Sequence, residues 1–173
     1  MKQVIAKPQL GFTDAVKLAY NRLTEVNGRS RRSEFWWFML AFAISYYILS
    51  TIISAIFPLI TGQIITALLM IVALPVTIRR LQDTGKSKWW VILSWLSNAI
   101  LSIYIIQSGF IDALNSVNAD IEGAVRVLNL PFLGSLSLIN IVTSLCTFIF
   151  CLLDGKPEAN KYGPSPKYEV TES

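Results

Sequence analysis

Residues 35–78 contain no Asp, Glu, Lys or Arg, and neither do 89–111 or 127–153. Uncharged stretches of that length leave a water-soluble fold no surface to present, so they dictate the solvent. The rest of the composition agrees: 15% of residues are charged, where a soluble domain carries roughly 25%, 53% are apolar, and the mean hydropathy is +0.52. A spanning helix takes about 20 residues at about 1.5 Å rise each, so 35–78 is long enough for two crossings, with Pro58 to Gln63 as the break. Spans are therefore expected near 35–57, 59–78, 89–107 and 132–153. The expected fold is an all-α integral membrane protein, a four-transmembrane-helix bundle, with a basic amphipathic segment at 1–34 and a tail at 154–173. Four crossings put both ends on one side.

Which side follows from the basic residues, because Lys and Arg in short flanking segments stay cytoplasmic. With the N-terminus inside, the cytoplasmic segments hold Lys2, Lys7, Lys17, Arg22, Arg29, Arg31 and Arg32, then Arg79, Arg80, Lys86 and Lys88, then Lys156, Lys161 and Lys167; only Arg126 falls outside. The net charge of +4 is thus an orientation signal. Nucleic acid is not an expected partner, since the bases are confined to membrane-flanking stretches with no groove-binding motif around them. The first apolar run starts only at Phe35, too late for a cleaved signal peptide, and the expected location is an inner membrane with both ends cytoplasmic.

No metal or other cofactor is expected. The chain has no His, and Cys146 and Cys151 stand five apart on one helix, about 8 Å along its axis and rotated from one another, which is poor disulfide geometry.

Helical spacing reappears outside the spans. Phe12, Val16, Ala19, Leu23 and Val26 recur at steps of four and three, the pattern of one apolar face. Thr13 or Asp14 can cap this helix and Asn27 with Gly28 can stop it. It either packs on the protein's own cytoplasmic end or lies in the interface as a lipid- or partner-binding helix. Phe110, Leu114, Val117, Ile121, Val125 and Leu128 suggest a second amphipathic helix on the outer face. Inside the spans, small and polar residues repeat at near-heptad spacing: Ala43, Tyr47, Ser50, Ser54; Thr66, Met70, Ala73, Thr77; Ser94, Asn98, Ser102; Ser137, Asn140, Ser144, Thr147, Cys151. Such stripes face inward and let membrane helices associate, and Pro75 is expected to kink the second span.

Two boundary segments carry the strongest local signals, GRSRRSEFWWF at 28–38 and RRLQDTGKSKWW at 79–90. Both set arginines beside an acid and a Trp pair, so Trp36, Trp37, Trp89 and Trp90 belong at headgroup depth. Glu34, one position before the apolar run, is costly there unless paired, and Arg32, Arg79 or Arg80 is its expected partner. Asp83, in the loop after the second span, poses the same question.

With the tail NKYGPSP at 160–166, these segments resemble the bacterial inner-membrane family called domain of unknown function 805, over residues 12–168. The resemblance implies a four-span plasma-membrane protein and no established activity. By it the motif positions are Gly28, Arg29, Arg32, Glu34, Phe35, Trp36, Arg79, Arg80, Asp83, Gly85, Trp89, Trp90, Asn160, Tyr162, Gly163 and Pro164. Gln82 departs from the family pattern, which often has His there, so no mechanism can rest on an imidazole.

Function classes separate on chemistry. An ion-coupled transporter needs an ionisable group within the membrane, and none of the four spans as read contains one. An enzyme needs convergent catalytic groups, and no nucleophile has an evident base. The expectation is a non-catalytic component. Its basic ring of Arg29, Arg31, Arg32, Arg79, Arg80, Lys86 and Lys88, with Glu34, Asp83 and the Trp residues, either meets membrane lipids, anionic ones above all, or a partner protein, or else forms a structural ion-pair lattice. A small oligomeric pore or facilitated transporter, assembled from copies of the chain, is the alternative.

Overall fold

The computed structural model describes residues 2–115, 121–126 and 128–172. Among these residues four helices are long and apolar enough to cross a membrane: Arg32–Ile56, Leu59–Asp83, Trp89–Gln107 and Leu130–Leu152. The chain divides into two compact units, 1–88 with 147–173, and 89–146.

In the first unit, strand β1 (Lys2–Ala6) leads into helix α1 (Phe12–Tyr20), which lies against the long helix α2 (Arg32–Ile56). Ala15 and Ala19, one turn apart, are fully buried in that contact. The helix starts at Gly11 with no side-chain cap, and its backbone gives way to turns after Tyr20, short of the stop expected at Asn27. Pro58 ends α2: the residue before a proline is driven out of the helical region, and Phe57 is extended (φ −106°, ψ 148°). Helix α3 (Leu59–Leu69) then returns beside α2, passes through a tight turn of 3-10 helix at Met70–Ala73, and continues as α4 (Leu74–Asp83). Pro75 explains the tightening, because it has no N–H to offer the carbonyl of Ile71 and its ring crowds that turn. The second span therefore runs to Asp83. The expected end at 78 was too early, and Arg79, Arg80 and Asp83 are helical residues where a loop was expected.

The all-α expectation needs one correction. Strand β2 (Tyr168–Glu172) pairs antiparallel with β1, Lys2 opposite Glu172 and Ala6 opposite Tyr168. The two ends of the described chain are thus joined and lie on one side of any membrane the helices cross.

The second unit holds helix α5 (Trp89–Gln107), the short helices α6 (Phe110–Asn115) and α7 (Ile121–Arg126), and most of α8 (Leu130–Leu152). Two short helices stand where one outer-face helix was expected, and Val117 of that stripe lies outside the described residues. Polar side chains join α5 to α8: the Ser94 and Ser144 hydroxyls are 2.6 Å apart, and Asn140 Nδ2 donates to the Ser94 carbonyl (2.9 Å) and to Ser97 Oγ (3.1 Å). Bonds of this kind contribute roughly 0.6–2 kcal/mol each in a membrane. The stripe expected on α5 is only partly used, since Ser97 is buried and Asn98 is exposed. The stripe on α2 does not face inward: Tyr47 is 74% exposed.

Candidate functional site

The three motif segments, the second as far as Lys88, meet in the first unit, and what they build is a clasp of buried charge. Its starting point is the C-terminal end of α4. A charged side chain in the last turn of a helix ordinarily extends to water, and where packing buries it instead it must find partners in neighbouring segments. Arg79 and Arg80 are completely buried, and Glu34 and Asp83 are 1% exposed.

Asp83 is shared by two guanidinium groups. Its Oδ1 accepts from Arg29 Nε at 2.8 Å and its Oδ2 from Arg80 Nη1 at 2.6 Å. Arg29 then reaches into the tail: its Nη1 donates to the carbonyls of Glu158 (2.8 Å) and Gly163 (3.4 Å), and its Nη2 to those of Asp83 and Lys156. Arg80 caps α8. Its Nε donates to the carbonyl of Cys151 (3.2 Å) and its Nη2 to that of Leu153, while Nη1 also reaches the Ser30 carbonyl. The last carbonyls of a helix have no intrahelical donor and carry the negative end of its dipole, so an arginine placed there answers both needs.

Arg79 serves the other flank. Its Nη1 donates to the carbonyls of Arg22 and Glu25, both at 2.5 Å, where the chain leaves α1; its Nε donates to Ser30 Oγ (3.1 Å), and its Nη2 lies 3.5 Å from Glu34 Oε1. Ser30 Oγ donates to the same carboxylate oxygen at 2.8 Å, and Arg22 stands 3.9 Å from it. Glu34 is therefore placed with Arg79, helped by Ser30; Arg80 belongs to Asp83, and Arg32 points elsewhere. Gln82 closes the gap between flanks, donating from Nε2 to the Val26 carbonyl (3.1 Å), while its own carbonyl accepts from Asn160 Nδ2 (2.9 Å). Among the described residues its side-chain oxygen, buried, meets no hydrogen-bond donor.

Two glycines make this approach feasible. Gly28 has φ +120°, and a Cβ there would meet the Arg22 guanidinium at 2.8 Å. At Gly155 an added Cβ would overlap the Asp83 carboxylate itself.

The seven bases expected to form one ring do not. Arg29, Arg31, Arg79 and Arg80 are buried, and Arg31 donates to the carbonyls of Pro8 (2.7 Å) and Lys7 (3.4 Å). Only Arg32, Lys86 and Lys88 stay outside. The Arg32 side chain is 50% exposed, 3.7 Å from Asp154; Lys86 Nζ sits 4.8 Å above the Phe150 ring; Lys88 is exposed. The physical reason is that this chain supplies its own acceptors: two buried carboxylates, Glu34 and Asp83, face four buried guanidinium groups, and backbone carbonyls take the remaining donors. Trp36 is half-buried, edge-on to Phe35 (5.0 Å) and Phe148 (6.0 Å), Trp90 is half-buried, and Trp89 is 58% exposed.

Residues the sequence reading did not single out include Ser30, Arg22 and Gly155. A further pair lies at the rim, where Lys167 Nζ donates to Asp154 Oδ2 at 3.0 Å and that bond holds the Asp154 carboxyl below its ordinary range. Among the described residues no group of three His, Cys, Asp or Glu could hold a metal ion.

The family model described as Protein of unknown function (DUF805) matches residues 23–164. Neither a curated protein nor a solved structure matches the chain. The matched stretch takes in almost the whole clasp, from Glu25 to Gly163, and leaves out β1, α1 and β2.

Proposed function

Because this chain belongs to the DUF805 family of proteins of unknown function, we propose that it is a non-catalytic, multi-pass component of a bacterial inner membrane. In this reading both ends are cytoplasmic, and the clasp holds a small basic face against anionic lipid. The observation that carries it is the division of the cations. The guanidinium groups of Arg29, Arg79 and Arg80 are engaged by carboxylates and backbone carbonyls of this chain, so their work is structural. Arg32, Lys86 and Lys88 remain outside the clasp as cations of the same unit, and Lys88 is followed in the chain by Trp89, whose ring is 58% exposed. Each such base beside an anionic surface contributes about 1 kcal/mol, and Trp holds the depth at which it acts.

Native mass spectrometry supplies the test. The protein should retain phosphatidylglycerol or cardiolipin over phosphatidylcholine, and Arg32→Ala, Lys86→Ala and Lys88→Ala together should abolish the preference without unfolding the protein. Equal retention of all three lipids by the unchanged protein would leave a partner protein as the better reading.

Orientation rests on the fourteen bases expected inside against Arg126 outside, with the pairing of β1 and β2 supporting a common side for the two ends. In a background without Cys146 and Cys151, a cysteine at Asp112 should react with an impermeant reagent added outside intact cells, and one at Glu158 should react only after permeabilisation. The opposite pattern sinks the orientation.

One observation favours the alternative of an oligomeric pore or facilitated transporter. A groove of about 420 Å³ runs between α2 and α3, lined by Tyr46, Ser50, Thr51, Ser54, Gln63 and Thr66 among others. The hydroxyls of Ser50, Thr51, Ser54 and Thr66 all donate to carbonyls of their own helices, which makes the groove less demanding of a solute or a second copy than its composition suggests, and lipid binding remains the preferred reading.

A further inference from the structure

We propose that α1 lies in the membrane, at the boundary between headgroups and acyl chains, with Phe12, Val16 and Tyr20 as its lipid-facing flank. This deepens the reading above and rests on α2 crossing a bilayer.

The depth of α1 is tied to that of α2 through one aromatic contact. Trp37 lies five residues past the start of α2 at Arg32, about 7.5 Å along the axis, and it is 39% exposed on the side of a helix apolar enough to span. An exposed indole at that position on a crossing helix faces lipid. The Phe12 ring stands edge-on to it, with centroids 5.7 Å apart, and is itself 47% exposed. Phe12 therefore shares the environment of Trp37. The seam between the helices is made by Ala15 and Ala19, both fully buried, whose small side chains let the backbones approach closely and fix α1 against α2.

From Phe12 one helical flank continues through Val16 to Tyr20, residues four apart, and Tyr20 is 67% exposed. Thr13, Asp14 and Lys17 project on the face away from the seam, and all three are exposed. One helix thus presents a packed seam, an apolar flank beside Trp37 and a polar face edged by Leu18 (38% exposed), which is the arrangement of a helix lying in the interface plane, its apolar side buried about 5–10 Å into the headgroup boundary. In water the flank would leave Phe12 and Tyr20 exposed and Val16 half-exposed beside Trp37. In the interface the same side chains meet acyl chains, and the Tyr20 hydroxyl meets headgroups.

Spin labels placed along α1 read the difference. In the cysteine-free background, reconstituted in nanodiscs of phosphatidylethanolamine and phosphatidylglycerol, labels at Val16 and Tyr20 should be several-fold more accessible to oxygen than to a water-soluble nickel chelate. Labels at Asp14 and Lys17, which are exposed and lie off the Phe12–Val16–Tyr20 flank, should show the reverse. A label at Ile44, 54% exposed on α2, reports on the premise. If Ile44 is reached by nickel, α2 does not span and the membrane reading itself fails. If Ile44 is lipid-exposed but Val16 and Tyr20 are reached by nickel, only the placement of α1 is overturned. Shielding of Val16 and Tyr20 from both probes would mean that protein covers the flank, and it too overturns the proposal. Should the cysteine-free chain misfold, hydroxyl-radical oxidation of the unmodified chain in the same nanodiscs decides it: a protected Tyr20 supports the placement, and a readily oxidised one overturns it.

Discussion

Asp83→Asn should destabilise the detergent-solubilised protein by about 3–5 kcal/mol, the range for leaving buried charge without its partner. The amide keeps the size of the carboxylate, so the loss reports charge and hydrogen bonding with little cavity. Two guanidinium groups depend on that carboxylate, Arg29 at 2.8 Å and Arg80 at 2.6 Å, and an asparagine turns an NH₂ toward one of them. Glu34→Gln should cost less: its nearest cation is Arg79 at 3.5 Å, and Ser30 still offers it a hydrogen bond. Glu158→Gln, on an exposed side chain whose carbonyl alone joins the clasp, should be close to neutral. Denaturant unfolding of the three variants gives the order directly. A neutral Asp83→Asn would mean that the carboxylate is solvated and the clasp is not closed in solution.

The second large effect is expected at Gly155. A methyl group there has no room, because it would occupy the position of the Asp83 carboxylate. Either the tail lifts away from α4, or Asp83 swings off Arg29 and Arg80. Overpacking typically costs about 1–3 kcal/mol, and displacing a buried charge adds to it. Gly155→Ala should therefore both lower the unfolding midpoint and open the segment after Leu153 to limited proteolysis. Gly134→Ala is the control, since nothing lies within 4 Å of its added Cβ and a helical Gly to Ala change is expected to gain about 0.5–1 kcal/mol. Equal proteolysis of the two variants would sever the link between Gly155 and the tail.

The spans were legible because the absence of charge over twenty or more residues admits one solvent. Their ends were harder to place. Arg79 to Asp83 read as loop, since charges close an apolar run, yet the helix continues because those charges turn into protein. Burial also separates the two roles open to the arginines. A guanidinium beside a Trp pair looks the same in sequence whether it reaches a lipid phosphate or a helix's last carbonyl, and only the position of Cys151 and Leu153 against Arg80 distinguishes them. The strands were invisible for a different reason: each is five residues long, and their pairing joins positions at opposite ends of the chain, where local pattern carries no information. The α5–α8 seam was half legible, in that Asn140 and Ser144 were marked on one helix but Ser97 was not on the other.

The order in which a ribosome delivers the clasp has a consequence of its own. Arg29 emerges early, Arg80 and Asp83 follow, and the carbonyls of Leu153, Lys156 and Glu158 arrive only after the fourth apolar helix has been made. At about 5–20 residues per second, Arg29 waits several seconds or more for the backbone acceptors that complete it. Closing the loop from β1 to β2 comes later still and is the contact with the greatest chain-closure entropy to overcome. A chain interrupted before its last helix thus leaves Arg29 without the carbonyls of Lys156, Glu158 and Gly163, so the clasp closes only once everything from Arg29 to Gly163 has been made.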